Sequence, residues 1–277
     1  MAQRRSKAAA EERKRRADDL RALGESLLNS AVCEDISPLQ SAAHQCQTTI
    51  PASADWSYDV TLLRFRLPKL AGGKPSDISG VVATLNVSSS GTTTSTQNGD
   101  PLSYSAVDLV LTGNARYGSE SGTATAAWHF DRHVGGEHEP VHEPHPLYHV
   151  QYGGRRMLGV DLGRTLLSDA PRLLHPPMDV VLAVDLVVSN FMCEAWNRLS
   201  EDPAYVRIVD NSYRRLWRPW FSFVASFWEQ HAHLRWNELQ RLCPTVPKPL
   251  VPSFAQVPAS NILAAQRNSR TPRRRRK

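Results

Sequence analysis

Apolar and polar side chains alternate along five segments in the first half of the chain, a pattern typical of β-strands with one buried face. The segments are Tyr58–Leu67, Ile78–Val87, Ser105–Thr112, Thr123–Val134 and His145–Tyr152. Glycine pairs and a Ser/Thr/Gly/Asn-rich tract separate them, which favours turns over long crossover connections. We therefore predict an antiparallel sheet of about five strands, with a mobile loop around Ser88–Asn98.

A helical pattern precedes the strands. Residues 2–30 are rich in strong helix formers, and a narrow apolar stripe in the second half consists of Leu20, Leu23, Leu27 and Leu28. The first half is polar all round. We expect one basic helix whose second half docks on the protein while its first half projects or frays.

Prolines indicate where helices begin in the second half of the chain, because proline suits the first turn of a helix. Pro176-Pro177 and Asp179 predict a helix that runs to about Leu199, although its β-branched beginning also fits a strand. A second helix is expected from Pro203 and a third from Pro219.

These elements predict an α+β fold in which C-terminal helices pack on one face of the sheet. We expect a basic N-terminal helix at 1–31 and a single globular domain at 32–243, with its strands over 56–152 and its helices over 176–243. Residues 244–277 are rich in proline and arginine, and we expect a disordered tail there.

The formal net charge of +6 is unevenly distributed. Residues 1–16 carry +5 and residues 267–277 carry +7, so the rest of the chain carries −6 with neutral histidines. Clustered Arg and Lys bind phosphates and release counterions, which predicts nucleic acid as a partner of the two termini. Alternatively, the basic termini only aid solubility or contact anionic surfaces non-specifically.

Two absences narrow the setting that the sequence predicts. No apolar run approaches the length of a membrane span, and no apolar core follows the charged N-terminus. We therefore expect a cytoplasmic protein without membrane contact. The four cysteines are far apart in the sequence and form no C-x-x-C pair, so we expect four buried thiols.

Candidate chemistry is concentrated in two neighbouring strands, since six of the ten histidines lie between residues 129 and 149. Successive side chains of a strand point to opposite faces. One face of the predicted hairpin is then apolar and aromatic, with Trp128, Phe130, Tyr148, Val150 and Tyr152. The opposite face is polar, with His129, Asp131, His133, His145, Leu147, His149 and Gln151.

Two registers of this hairpin remain open. If His133 pairs with His145, then His129 lies opposite His149. After a slip of two residues, Asp131 lies opposite His149 and His129 opposite Gln151. Directly opposed side chains are about 5 Å apart, so either register brings imidazole and carboxylate groups together.

Three interpretations of this face follow. In the first, two or three of His129, Asp131, His145 and His149 bind a divalent Zn, Mn or Fe ion, and the favoured set is His129, Asp131 and His149. Other polar groups lie behind the ligands at His133, His138, His142 and Gln151. In the second, no metal is needed, and Asp131 orients an imidazole that acts as acid or base near neutral pH. In the third, the histidines are structural and satisfy one another and water.

The favoured function is hydrolysis of a phosphoester or nucleic acid, with His129, Asp131, His145 and His149 as catalytic residues. Arg155, Arg156 and Gln151 are the candidate substrate-binding residues. No P-loop, H-E-x-x-H or G-x-S-x-G motif is present. The alternative is a non-catalytic adaptor that its basic termini tether to nucleic acid, with a protein partner on the aromatic helix expected at 217–236.

Overall fold

The computed structural model describes residues 2–48, 54–68, 77–93, 100–117, 119–132, 147–153, 157 and 173–230. Two helices precede a sheet and three follow it. The N-terminal helices are α1 (Ala2–Asn29) and α2 (Ser37–Thr48). The strands are β1 (Trp56–Arg66), β2 (Ser79–Gly91), β3 (Tyr104–Tyr117), β4 (Glu120–Arg132), β5 (Tyr148–Tyr152) and β6 (Leu173–Leu174). The C-terminal helices are α3 (Val180–Phe191), α4 (Cys193–Glu201) and α5 (Pro203–Gln230).

The strands form one antiparallel sheet in the sequential order β1-β2-β3-β4-β5-β6, which confirms the predicted α+β fold and its five strands. The short β6 was not predicted. The expected loop begins later than predicted, because Ser88, Ser89 and Ser90 pair with β3 and belong to β2. Serine is compatible with a strand when its neighbours supply a complete ladder of hydrogen bonds.

One face of the sheet, called here the core face, carries the apolar side chains. Val107 and Leu109 of β3 lie opposite Phe130 and Trp128 of β4. Helix α3 contributes a run of buried aliphatic side chains to the same core cluster, and Ser105 on this face donates a hydrogen bond to the Met178 carbonyl at 3.0 Å. Helices therefore cover the core face, and the opposite face is called the outer face.

The helix predicted up to Leu199 is in fact two helices. Asp179 caps α3 by accepting from the Leu182 amide at 3.1 Å, as expected for a helix start. The helix then breaks at Met192, which has φ −135° and ψ 55°.

The prediction of a new helix start at Pro219 was also wrong, because α5 continues through this proline with Leu216 and Trp220 buried on either side. Burial of these two side chains offsets the hydrogen bond that proline cannot donate.

Docking of α1 extends further toward its N-terminus than predicted. Ala9, Arg16 and Ala17 are buried, so part of the polar first half is packed. The Arg16 guanidinium carbon lies 3.5 Å from the centre of the Trp56 ring. A charged side chain with a long apolar stem thus occupies a position that the hydrophobic pattern marks as exposed.

Helix α2, which was not predicted, contacts the edge strand β1. The Gln45 side chain accepts a hydrogen bond from the Asp59 amide at 2.8 Å and donates one to the Asp59 carboxylate at 2.8 Å. A backbone donor of the edge strand is therefore satisfied by a side chain of the chain itself.

Two further predictions concern cysteines and membranes. Cys33 and Cys46 are buried as predicted, but Cys193 is exposed at the start of α4, and Cys243 lies outside the described residues. The prediction of four buried thiols was therefore wrong for Cys193. None of the helices in the described ranges has both the length and the apolar character of a membrane span.

Candidate metal site on the outer face of the sheet

The register of β4 and β5 decides between the two predicted hairpins. Asp131 lies opposite His149, and His129 lies opposite Gln151. The slipped alternative is therefore confirmed for the described residues. Since Phe130 and Val150 pair on the core face, the histidines, the carboxylate and the amide share the outer face, as the alternation predicted.

Three of these side chains converge. The ligand atoms that His129, Asp131 and His149 can offer all lie within 4.8 Å of one another. His129 Nε2 is 3.7 Å from Asp131 Oδ2, and the two imidazole rings are nearly perpendicular with centroids 6.1 Å apart. Residues two apart on a strand are separated by nearly 7 Å in the backbone, so the first two side chains lean toward each other.

These separations are close to those of a bound metal. Ligand atoms at about 2.1 Å from a tetrahedral zinc are roughly 3.4 Å from one another. The 3.7 Å separation between His129 and Asp131 already approaches that value. Any pair at the 4.8 Å limit would have to close by about 1.4 Å when an ion binds. A His₂Asp set leaves coordination positions open for water or substrate.

The electrostatics favour a cation at this place. Burial raises the pKa of the Asp131 carboxyl; His129 lowers it, and the neighbouring Asp108 carboxylate raises it again. The net pKa is above the ordinary value, since burial and a second carboxylate both disfavour the ionised form. A divalent ion reverses this preference by stabilising both carboxylates.

Asp108 is a residue of this face that the sequence analysis missed. Asp108 belongs to β3 and lies opposite His129 of β4 and opposite Asn86 of β2. One row across the sheet therefore contains Asn86, Asp108, His129 and Gln151. The parallel row contains Ser88, Ala106, Asp131 and His149. The alternation along β3 predicts this position, because Asp108 lies between Val107 and Leu109 and must therefore point to the face opposite these buried side chains.

Tyr104 adjoins the same face. Its pKa is raised by partial burial and by the carboxylates of Asp131, Asp59 and Asp108. The side chain remains 46% exposed, so its hydroxyl is accessible to solvent next to an acidic surface. The described outer face therefore presents three carboxylates, two imidazoles and a phenol.

Contacts on the core face hold the two strands in register next to the site. Tyr148, opposite Arg132, donates a hydrogen bond to Asp100. Arg132 donates to the same carboxylate at 2.7 Å and to the Ser103 carbonyl at 3.0 Å. Burial raises the pKa of the Tyr148 hydroxyl, and Asp100 raises it further, so this group is a neutral donor.

Other predicted site residues are placed differently or lie outside the described ranges. Gln151 and His149 are only 8% and 4% exposed, so neither is open to solvent in the way that the sequence analysis expected. His129 and Asp131, with side chains 18% and 35% exposed, are the accessible members. The remaining candidates lie outside the described residues; they are His133, His138, His142, His145, Arg155 and Arg156.

A large cleft lies elsewhere. It has a volume of about 800 Å³ and lies between the α1–α2 connection and strands β1 and β2, with Glu34, Asp35, Arg64 and Arg66 among its lining residues. Arg66 pairs there with Glu34 at 3.3 Å, and both side chains are largely exposed. The large volume alone does not make this cleft the better candidate for a functional site. The ion pair described there is exposed to solvent, and its side chains do not converge on one point as those of the outer face do.

No protein-family model, no curated protein and no solved structure matches this chain. Its candidate function therefore depends on the geometry of the outer face.

Proposed function

We propose that this protein is a metal-dependent hydrolase that binds a divalent Zn, Mn or Fe ion through His129, Asp131 and His149. The observation that carries the proposal is the convergence of their three ligand atoms within 4.8 Å on one face of a sheet. Two imidazoles and one carboxylate are ligands that all three metals accept, and the set leaves part of the coordination sphere open.

Each residue has a role in this proposal. The two histidines and Asp131 hold the ion, and Asp108, which lies opposite His129 on the neighbouring strand, accepts a proton from an attacking water. A divalent ion at such a site activates water near neutral pH and polarises the bond to be cleaved. His145 remains a candidate for a further catalytic group.

The substrate class that we propose is a phosphoester, including nucleic acid. The support comes from the basic termini, which attract phosphates, and from the chemistry of divalent ions, which neutralise phosphoryl oxygens. The carboxylates of Asp59, Asp108 and Asp131 repel an anionic substrate in the absence of the ion. Activity is therefore expected only with metal bound, with Arg155, Arg156 and Gln151 as candidate contacts to the substrate.

Metal content of the purified full-length chain tests the proposal. We expect about one Zn, Mn or Fe ion per chain, lost in Asp131→Ala and retained in Asp210→Asn, a change of an exposed aspartate on α5. His129→Ala is expected to abolish metal-stimulated hydrolysis of a model phosphodiester, whereas His44→Ala on the exposed side of α2 leaves it unchanged. A wild-type protein that neither retains nor binds any of the three metals would overturn the proposal.

The alternative is a non-catalytic adaptor. The observation that favours it is the exposed aromatic surface of α5, where Phe221 is 50% exposed and its ring lies 6.0 Å from that of Trp217. The same metal measurement separates the two functions, because an adaptor of this kind requires no ion on the outer face.

A further inference from the structure

A cavity of about 260 Å³ lies between the first half of α1, the beginning of β1 and helix α5. Its charged lining consists of Glu11, Glu12, Arg15, Arg16 and Arg215. The remaining lining is the Trp56 ring, the threonines at the end of β2 and small or apolar side chains; these are Thr92, Thr93, Ala8 and Pro101. Three guanidinium groups thus face two carboxylates around one small space.

Arg16 is the central cation of this cavity. Its side chain is only 5% exposed, and its guanidinium stacks on the Trp56 ring at 3.5 Å. The Trp56 ring also packs against Gly91 of β2, where a Cβ atom would come within 2.6 Å of the ring. Close packing against Gly91 therefore holds the ring, and the stacking contact holds the Arg16 guanidinium on it.

The two buried arginines differ in how well their charges are compensated. Arg215 pairs with Asp19 at 2.5 Å and lies 4.0 Å from Asp179, and its pKa is raised because these carboxylates outweigh its burial. Among the described residues Arg16 has one carboxylate within ion-pair distance, with its Nε 2.9 Å from Glu12 Oε1, and a weaker attraction from Asp179. Burial lowers the pKa of Arg16, and repulsion by Arg215 lowers it further.

The contact between Arg16 and Glu12 is an ion pair without a good hydrogen bond. Although the two atoms are close, the Nε–H bond does not point at the carboxylate, and this buried Nε lacks a hydrogen-bond partner among the described residues. The same is true of Arg215 Nε. Two arginines that line one cavity therefore each carry a buried donor without a hydrogen-bond partner, which leaves part of their hydrogen-bonding capacity unused.

We propose that this cavity binds a phosphate group, with Arg15, Arg16 and Arg215 as its cationic contacts. The volume lies just below the usual range for sites that hold drug-sized ligands, so it suits a phosphate with few attached atoms. Glu12 opposes an anion and must turn toward solvent when the phosphate binds. Its side chain is 19% exposed, so it already reaches the surface.

This site is separate from the candidate metal site. Trp56 belongs to the core-face set of β1 with Tyr58 and Val60, whereas His129 and Asp131 lie on the outer face. Phosphate binding here does not depend on a metal ion, so each proposal can fail without the other.

Calorimetric titration of the full-length chain tests the proposal, with inorganic phosphate in one arm and glycerol phosphate in the other, in the presence of a metal chelator. We expect saturable binding at one site that weakens as salt is added. Equal affinities identify the free phosphate ion as the ligand, and tighter binding of the ester identifies a small phosphorylated molecule. Absence of binding in both arms at millimolar concentration would overturn the proposal.

Two variants with opposite expected effects make the test specific. Arg15→Ala removes an exposed cationic contact and is expected to weaken phosphate binding about tenfold. Glu12→Gln removes the competing carboxylate and is expected to tighten binding. A purely structural ion pair predicts no such gain, so unchanged or weaker binding by Glu12→Gln contradicts the proposal.

Arg66→Ala is the matched control, because Arg66 is an exposed arginine at the opposite end of β1 from Trp56. This change is expected to leave the phosphate affinity unchanged. A loss of affinity equal to that of Arg15→Ala would show non-specific attraction and would refute the assigned site. Circular dichroism of each variant confirms that the fold is intact before the titration.

Discussion

His149 lies directly opposite Asp131 across the β4–β5 ladder, and the neighbouring pair in the same ladder on this face is His129 and Gln151. Both β5 residues are almost fully buried, with 4% and 8% exposure. The register therefore offers two variants matched in burial, only one of which removes a proposed metal ligand.

We expect His149→Ala to lower zinc affinity by about 100-fold or more, because it removes one of three ligands. Gln151→Ala is expected to change the affinity by less than about tenfold, since Gln151 is not one of the three converging ligands. Competition with a chromophoric chelator measures both. Equal losses in the two variants would show that burial, rather than coordination, is being measured.

The Tyr148 hydroxyl bond to Asp100 predicts a stability effect. Tyr148→Phe removes one donor to a partly buried carboxylate that Arg132 also holds. We expect a loss of about 2 kcal/mol in the free energy of unfolding, the usual contribution of a hydrogen bond to a charged group. Urea denaturation measures it. Tyr104→Phe, at an exposed position of β3, is the control and is expected to cost less than about 0.5 kcal/mol.

His175 predicts a pH dependence of stability. Burial lowers the pKa of its imidazole below the ordinary value of 6.5, and the ring packs edge-on against Phe130 at 5.0 Å. The unfolded chain therefore takes up a proton at a higher pH than the folded chain does. Its contribution to stability is full above about pH 6.5 and is lost as the pH falls through that value toward the lower folded pKa.

Urea denaturation at pH 7.5 and pH 5 checks this sign. We expect the wild type to lose more stability on acidification than His175→Asn does, whereas His44→Asn on the surface of α2 behaves like the wild type. The prediction is contradicted if the two histidine variants show the same dependence on pH.

Gly91 predicts a steric effect at the Trp56 ring. A Cβ atom at this position would lie 2.6 Å from Cζ2 and 3.0 Å from Cε2 of the ring that faces it across the β1–β2 ladder. We expect Gly91→Ala to lose about 1–3 kcal/mol of stability because a well-packed region must shift. Gly122→Ala, at an exposed position of β4, is expected to be nearly neutral in thermal denaturation.

The sheet was predictable because its strands alternate strictly. The two-residue alternation predicts which side chains share a face, as with Val107 and Leu109 on one face and Asp108 on the other. This prediction requires no knowledge of contacts with distant parts of the chain. The hairpin register was limited to two alternatives for the same reason. The choice between them depends on contacts such as that of Tyr148 with Asp100, which are 48 residues apart in sequence.

Other features were not predictable from local patterns. Arg16 is charged and yet buried, because Trp56, 40 positions later in the sequence, provides a face for its guanidinium. The break at Met192 separates two helices with no glycine or proline to mark it. At Arg16, a tertiary contact outweighs what the local pattern predicts.

The two hydrogen bonds between Gln45 and Asp59 have a consequence for self-association. An unpaired amide on an edge strand is a template on which a strand from another molecule can add, the first step toward fibrils. Here the Asp59 amide is already hydrogen-bonded to Gln45 of the preceding helix. The Asp59 carboxylate would also repel the same carboxylate of a second molecule. Loss of the Gln45 side chain would therefore leave the Asp59 amide of the edge strand β1 unpaired, and a strand of a second molecule could add there.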